Sequence, residues 1–234
     1  MVRNIEINIS PKEIYESIYS PPNGIRYIDL WGGRTRGGSF EGTLYALYRL
    51  TSPGYSRIAL VRQIHRDIKS SLWQDFKDRA FSEHEGVCLK EDDFEISDQE
   101  MRATYVPTGN TIKAFGLKAD SKRTAKIKSI AGFNLVIIEE ADELTESDFN
   151  QLDVSLRTTK GDESILVIRI YNPPGKKHWI WRDYNLSEAS PPIGVRPKDF
   201  RYWKASPKSS SRVLSIHSTY RDNIDNIDSL TVEI

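Results

Sequence analysis

Apolar residues in this chain come in two spacings, and the alternation between them sets out an architecture. Arg26-Tyr27-Ile28-Asp29-Leu30 is short and mostly apolar with Tyr and Ile, so a strand is predicted there. From Thr43 to Leu50 the apolar side chains recur at i, i+3 and i+4, the spacing of a helix packed back on that strand. Upstream, Ile5 to Ile9 predicts a short strand. Ser10-Pro11 starts a helix that carries Tyr15 and Tyr19, and Ser20-Pro21-Pro22-Asn23-Gly24 closes it as a turn. Downstream, Arg57 to Arg62 predicts a second buried strand. Ile64, Ile68, Leu72, Phe76 and Ala80 recur every four residues and predict one amphipathic helix. Residues 82–103, with Glu91-Asp92-Asp93, are acidic and irregular and suggest a solvated excursion. Thr104 to Val106 and Thr111 to Gly116 form a predicted hairpin through Pro107-Thr108-Gly109-Asn110.

The second half continues the alternation. Phe133 to Ile138 is apolar except at Asn134, as expected of a strand buried on both faces of a parallel sheet. Thr145-Glu146-Ser147-Asp148 is a capping box opening a helix through Phe149, Leu152 and Leu156. Ser164 to Tyr171 is another central strand. His178 to Arg182 opens a helix with an aromatic face, and Asp199 to Lys204 and Arg212 to Tyr220 are the last strands. Strand and helix signals in turn predict an α/β fold with a mostly parallel central sheet flanked by helices.

The candidate chemistry gathers at strand ends. WGGRTRGGSF, residues 31–40, fills the first strand-to-helix turn. It matches the spacing G-x-x-x-x-G-K-[ST] at Gly32, Gly37 and Ser39, with Gly38 where the Lys should stand. Glycines let successive N–H groups turn inward, and the following helix adds its free N–H groups and positive dipole end; such a loop holds phosphates. Gly32, Gly33, Arg34, Thr35, Arg36, Gly37, Gly38 and Ser39 are therefore candidate nucleotide contacts, and Ser39 a candidate Mg²⁺ ligand. The charge normally given by Lys must come from elsewhere, with Arg34 and Arg36 nearest and each presenting a planar fork. A Gly-rich turn without a ligand is the alternative. Glu139 and Glu140 end the strand at 133–138. There Glu139 can hold the water shell of Mg²⁺ and Glu140 can orient and deprotonate the water attacking a γ-phosphate. Asn172, at the tip of the neighbouring strand, is placed to sense the γ-phosphate or that water; it is also a good turn residue. Tyr15, Tyr19 and Tyr27 are candidate base contacts, though packing is the commoner role for each. The basic stretch Lys118 to Lys128 suits a solvated helix or a surface facing a neighbour's nucleotide or a DNA backbone.

Composition narrows the class. Lys+Arg 33 balances Asp+Glu 33 over 234 residues, so any polyanion contact must be local. The single Cys, Cys88, precludes an internal disulfide and is expected to be a packed thiol in a reducing compartment. No His stands at metal-ligand spacing to another ligand type. No apolar run approaches a membrane span and the N-terminus lacks a signal-peptide core, so a soluble intracellular protein without membrane partners is expected.

The ordered set resembles the large terminase subunit of tailed double-stranded DNA phages, in its N-terminal packaging ATPase domain. WGGRTRGGSF is similar to the family's phosphate loop, and LVIIEEADELTESDFNQLDVSLR to its Walker B strand, acidic pair and following helix. YNPPGKKHWI is similar to its coupling segment, and IHSTYRDN to the close of the ATPase domain. The resemblance implies a RecA-like, additional-strand (ASCE) P-loop ATPase using ATP and Mg²⁺. In it Ser39 and Glu139 serve the metal, Glu140 is the catalytic base and Asn172 couples hydrolysis to movement. Arg34 or Arg36 is expected to substitute for the absent Lys, with Arg36 the catalytic candidate. It implies a homo-oligomeric ring on a portal protein, fed double-stranded DNA by a small terminase subunit in the host cell cytoplasm. Arg102 and Arg123 are candidates for an arginine acting in trans. The expected organisation is a lead segment over 1–25, the ATPase domain over 26–223 and a tail over 224–234 toward a nuclease domain that this sequence does not include, so no cleavage is expected of it. A helicase-like translocase, and a nucleotide-binding or assembly module without efficient hydrolysis, are the competing readings.

Overall fold

In a computed structural model, residues 9–64, 68–82, 87–118, 130–157, 164–175, 177–180, 203–204 and 212–226 are described. They form one nine-stranded sheet in the order β3-β4-β5-β2-β6-β7-β1-β9-β8. Its strands are β1 (Tyr27–Gly32), β2 (Arg57–Ile64), β3 (Phe94–Ser97), β4 (Arg102–Tyr105), β5 (Asn110–Lys118), β6 (Leu135–Glu139), β7 (Leu166–Tyr171), β8 (Trp203–Lys204) and β9 (Val213–Ser218). The six strands from β5 to β9 in that order run parallel, and β4, β3 and β8 join antiparallel at the two sides. Among the described residues the helices are α1 (Gly38–Thr51), α2 (Leu72–Phe81) and α3 (Glu146–Ser155).

Strand side chains alternate between two cores, which is why the central strands carry no polar face. Ile28 and Leu30 of β1, Ile58 and Leu60 of β2 and Leu135 and Ile137 of β6 pack with Tyr45, Leu47 and Leu50 of α1 and Trp73 and Phe76 of α2. Their neighbours Tyr27, Trp31, Ala59, Val61, Val136 and Ile138 join Phe149 and Leu152 of α3 and Trp179. Thr145 caps α3 as expected, its hydroxyl accepting from the Asp148 amide at 3.2 Å.

Four expectations change. The every-four run does not make one helix: Ile64 ends β2 opposite Lys118, Ile68 is buried in a turn, and α2 begins at Leu72. A spacing of four also fits one face of a strand, so the pattern could not separate the two. The acidic excursion contains β3, paired antiparallel with β4 from Phe94–Tyr105 to Ser97–Arg102. Tyr220 falls outside the last strand, in a 3-10 turn. Cys88 is exposed, on a backbone with φ 54°, rather than packed. The strand at 5–9, the basic stretch after Lys118 and the helix beyond Ile180 fall wholly or largely outside the described residues.

One polar pair sits inside the sheet. Asp29 of β1 and Arg169 of β7 face each other in register and are both fully buried, joined by Nε–Oδ1 at 2.6 Å and Nη2–Oδ2 at 2.9 Å. The guanidinium lies 5.1 and 5.2 Å from the ring centres of Tyr27 and Phe149. Burial pushes the Asp29 carboxyl up, against the pull of Arg169. Removing one partner strands a buried charge, so Asp29→Ala is expected to lower stability by about 3–5 kcal/mol. Asp29→Leu combined with Arg169→Met should cost clearly less in the same urea titration. A second buried carboxyl, Glu41 in the first turn of α1, accepts a hydrogen bond from the Tyr19 hydroxyl at 3.0 Å, and burial pushes it from 4.5 up to about 7. The folded chain therefore holds a proton that the unfolded chain releases, and stability falls as pH rises across that window. Glu41→Gln is expected to flatten this slope and to gain up to about 3 kcal/mol at pH 8, measured as the pH dependence of unfolding.

Candidate active site

The loop between β1 and α1 takes the conformation its glycines permit. Gly32 has φ 149°, and a Cβ there would stand 1.8 Å from the Ser218 carbonyl oxygen of β9; Gly37 has φ 80° just before the helix. Thr35 is also left-handed, at φ 61°. Residues 33–39 wall a cleft of about 510 Å³ with Glu139, Glu140, Tyr171, Asn172 and Asn223. Gly32 ends the strand and is not on that wall.

Arg36 folds back under the loop. It is buried, and Nη2 donates to the Leu30 carbonyl at 3.1 Å and to the Tyr171 carbonyl at 2.9 Å. Its Nη1 has no hydrogen-bond partner among the described residues and lies 2.0 Å from where a Cβ on Gly38 would stand. The guanidinium therefore occupies the room in which a side chain at position 38 would begin, which accounts for glycine at the position where the pattern asks for Lys. Burial pulls the Arg36 guanidinium below its ordinary value, against the Tyr15, Tyr171 and Asp142 oxygens around it. Arg34, by contrast, is exposed on the rim.

The acids arrive from two strands away. In the sheet β7 stands between β1 and β6, and all three run parallel, so the loop, Asn172 and the acidic pair emerge at one edge. Glu139 is 8% exposed and lines the cleft with Ser39. Burial pushes its carboxyl up, against the Ser39 hydroxyl and the Arg62 charge. The two residues singled out for Mg²⁺ thus share one cleft, and both offer the hard oxygen donors that ion takes. Glu140 is half-exposed with a left-handed backbone, φ 50° and ψ 47°, a conformation costly for a residue with a Cβ. Asn172 is exposed and lines the same cleft. His178 Nε2 lies 2.9 Å from the Asp142 carbonyl, and Trp179 Nε1 donates to the Leu144 carbonyl at 2.7 Å, so the chain after Asn172 is tied to the turn after Glu140.

Arg62 of β2 escaped the sequence reading. Its Nη2 pairs closely with Glu140, and its Nε lies 3.8 Å from Glu139. Only the β2–β6 pairing brings it there; the one hint in the sequence is a cation at the end of an otherwise apolar strand. The three tyrosines are engaged elsewhere. Tyr15 donates to the Arg36 carbonyl at 3.0 Å and lies 2.6 Å from the Ser218 hydroxyl, Tyr19 meets Glu41, and Tyr27 donates to Asp153 at 2.9 Å. Arg102 is exposed on β4 beside Glu100, and Arg123 is outside the described residues.

This sheet order, loop and acidic pair agree with sequence-family likeness. The family model for the phage terminase large subunit matches residues 26–228. The chain belongs to that family. No curated protein sequence matches the terminase chain. Among solved structures it resembles the large terminase of a thermophilic bacteriophage, with TM-score 0.61, 15% identity and coverage of 94% of this chain and 47% of that one. A further structure of that phage's protein, in complex with ATP-γ-S, gives 0.60 at 13% identity, covering 94% and 46%. The large-terminase ATPase domain of Thermus phage P74-26 gives 0.56 at 14% identity, covering 95% and 90%. At these identities the likeness is one of fold, the RecA-like fold of terminase ATPase domains. The chain spans about half the length of the thermophilic-phage terminase, with 47% of it covered.

The packing of Arg36 against Gly38 is directly testable. Gly38→Ala is expected to destabilise the protein by about 1–3 kcal/mol, because the methyl displaces an anchored guanidinium. With Arg36→Ala it should be neutral or stabilising, and the thermal melts of the four proteins in this cycle report the coupling.

Proposed function

We propose that this terminase chain is a Mg²⁺-dependent ATPase motor domain that hydrolyses ATP to drive double-stranded DNA into a procapsid. The observation that carries the reading is the shared cleft, in which the phosphate-type loop with Ser39 lies together with Glu139 and Glu140 of the acidic strand and with Asn172. The inward N–H groups of residues 33–38 and the start of α1 bind the phosphates. Ser39 and Glu139 would hold Mg²⁺ with the nucleotide, and the ion supplies charge neutralisation at the phosphates. Glu140, freed from Arg62, accepts a proton from the attacking water. Nη1 of Arg36 stands where the Lys would begin and supplies the fixed positive charge. Asn172, followed by residues that His178 and Trp179 tie to the turn after Glu140, carries the change outward. Recognition of DNA, a portal and a small subunit, assembly into a ring and action in the host cytoplasm follow from family membership and are part of the same proposal.

A module that binds nucleotide without efficient turnover is favoured by one feature: Nη2 of Arg36 is committed to two backbone carbonyls. Phosphate release from the purified chain decides between them. Wild type should turn over, Glu140→Gln should lose about 100-fold or more, and Arg36→Ala about tenfold or more. Equal rates in all three proteins, or calorimetric binding of ATP without any turnover in the presence of DNA and procapsid, would overturn the motor assignment.

A further inference from the structure

A loop that turns its N–H groups inward to a phosphate must turn carbonyl groups outward, and these need donors of their own. Two such carbonyls on the arch find side chains from distant parts of the chain. The Arg36 carbonyl takes the Tyr15 hydroxyl, and the Thr35 carbonyl takes Nδ2 of Asn223 at 2.7 Å. Asn223 also covers Gly37, its Oδ1 standing 3.3 Å from where a Cβ would be, and it is part of the cleft wall. It comes from the segment that follows β9. That segment is wound into a tight turn in which Asp222 Oδ2 accepts from the Thr219 amide at 2.8 Å and from the Thr219 hydroxyl at 3.2 Å, while the Asp222 amide donates to the Thr219 carbonyl at 3.1 Å. The turn aims the amide at the left-handed Thr35 and at Gly37, the peptides whose orientation sets the arch.

We propose that Asn223 is a positioning residue for nucleotide: it holds the Thr35–Gly37 peptides in their phosphate-binding orientation and thereby couples occupancy of the cleft to the segment following β9. The coupling is reciprocal: what the Asn223 contact adds to nucleotide affinity, nucleotide adds to the docking of residues 219–226. The inference rests on the nucleotide reading above and goes past it, since nothing in the sequence pattern of the loop points to a residue some 190 positions later.

The test uses ATP-γ-S with Mg²⁺ as the probe on the full 234-residue chain. Asn223→Ala is expected to weaken binding about 5- to 10-fold. Asn223→Asp, the same shape with two acceptors facing a carbonyl and a phosphate, should weaken it further. The kcat of ATP turnover should change much less than KM in both. Hydrogen exchange at 219–226 should slow on saturation of the wild type and stay unchanged in Asn223→Ala, an effect that lost fold stability would not produce. Wild-type affinity in Asn223→Asp, or no nucleotide-dependent exchange at 219–226 in the wild type, would overturn the inference while leaving the nucleotide reading intact. Absence of any ATP-γ-S binding to the wild type would overturn both. If Asn223→Ala melts early without nucleotide, the isosteric Asn223→Asp carries the comparison.

Discussion

A guanidinium removed from water must be met by acceptors already in place, and the site rests on how Arg36 satisfies that demand. Its two carbonyl partners belong to adjacent parallel strands, one two residues before the end of β1 and the other at the end of β7. The loop therefore cannot shift without disturbing the seam between the strand that leads into it and the strand that leads to Asn172. Further down the same seam a second buried guanidinium, Arg169, bridges the same pair of strands through Asp29. Two stitches along one seam make the loop and the strand that leads to Asn172 a single rigid unit. A rigid support of this kind is what preorganised electrostatics require.

Charge in the cleft is arranged as paired opposites rather than as a uniform field. Arg62 faces both Glu140 and Glu139. This suits a zero net charge, since cations and carboxylates are balanced locally at one end of the sheet. Burial pushes the Glu139 carboxyl up, and the Ser39 hydroxyl and the Arg62 charge pull against it.

What the sequence made legible was local. The loop, the acidic pair and the Asn-Pro turn each lie at the end of a run of apolar residues that only a central strand explains, and the structure puts all three at one edge. What it left hidden depended on pairing between distant segments. Arg62 reaches the acids only because β2 lies beside β6, and Tyr15, Ser218 and Asn223 support the loop from chain ends nearly the whole sequence apart. β3 was missed because an outer strand with exposed Glu95 and Ile96 lacks the continuous apolar signal of the middle. The glycine at position 38 looked like a loss; it is the complement of a side chain two residues earlier, a relation visible only in three dimensions.

The backbone of Glu140 carries an implication for how such a protein tolerates change. A left-handed residue bearing a long side chain is under local strain that Gly or Asn would relieve. Drift toward a sturdier polypeptide at this position thus runs against keeping a carboxylate in the cleft, so thermal robustness gained there would come at the expense of the acidic pair.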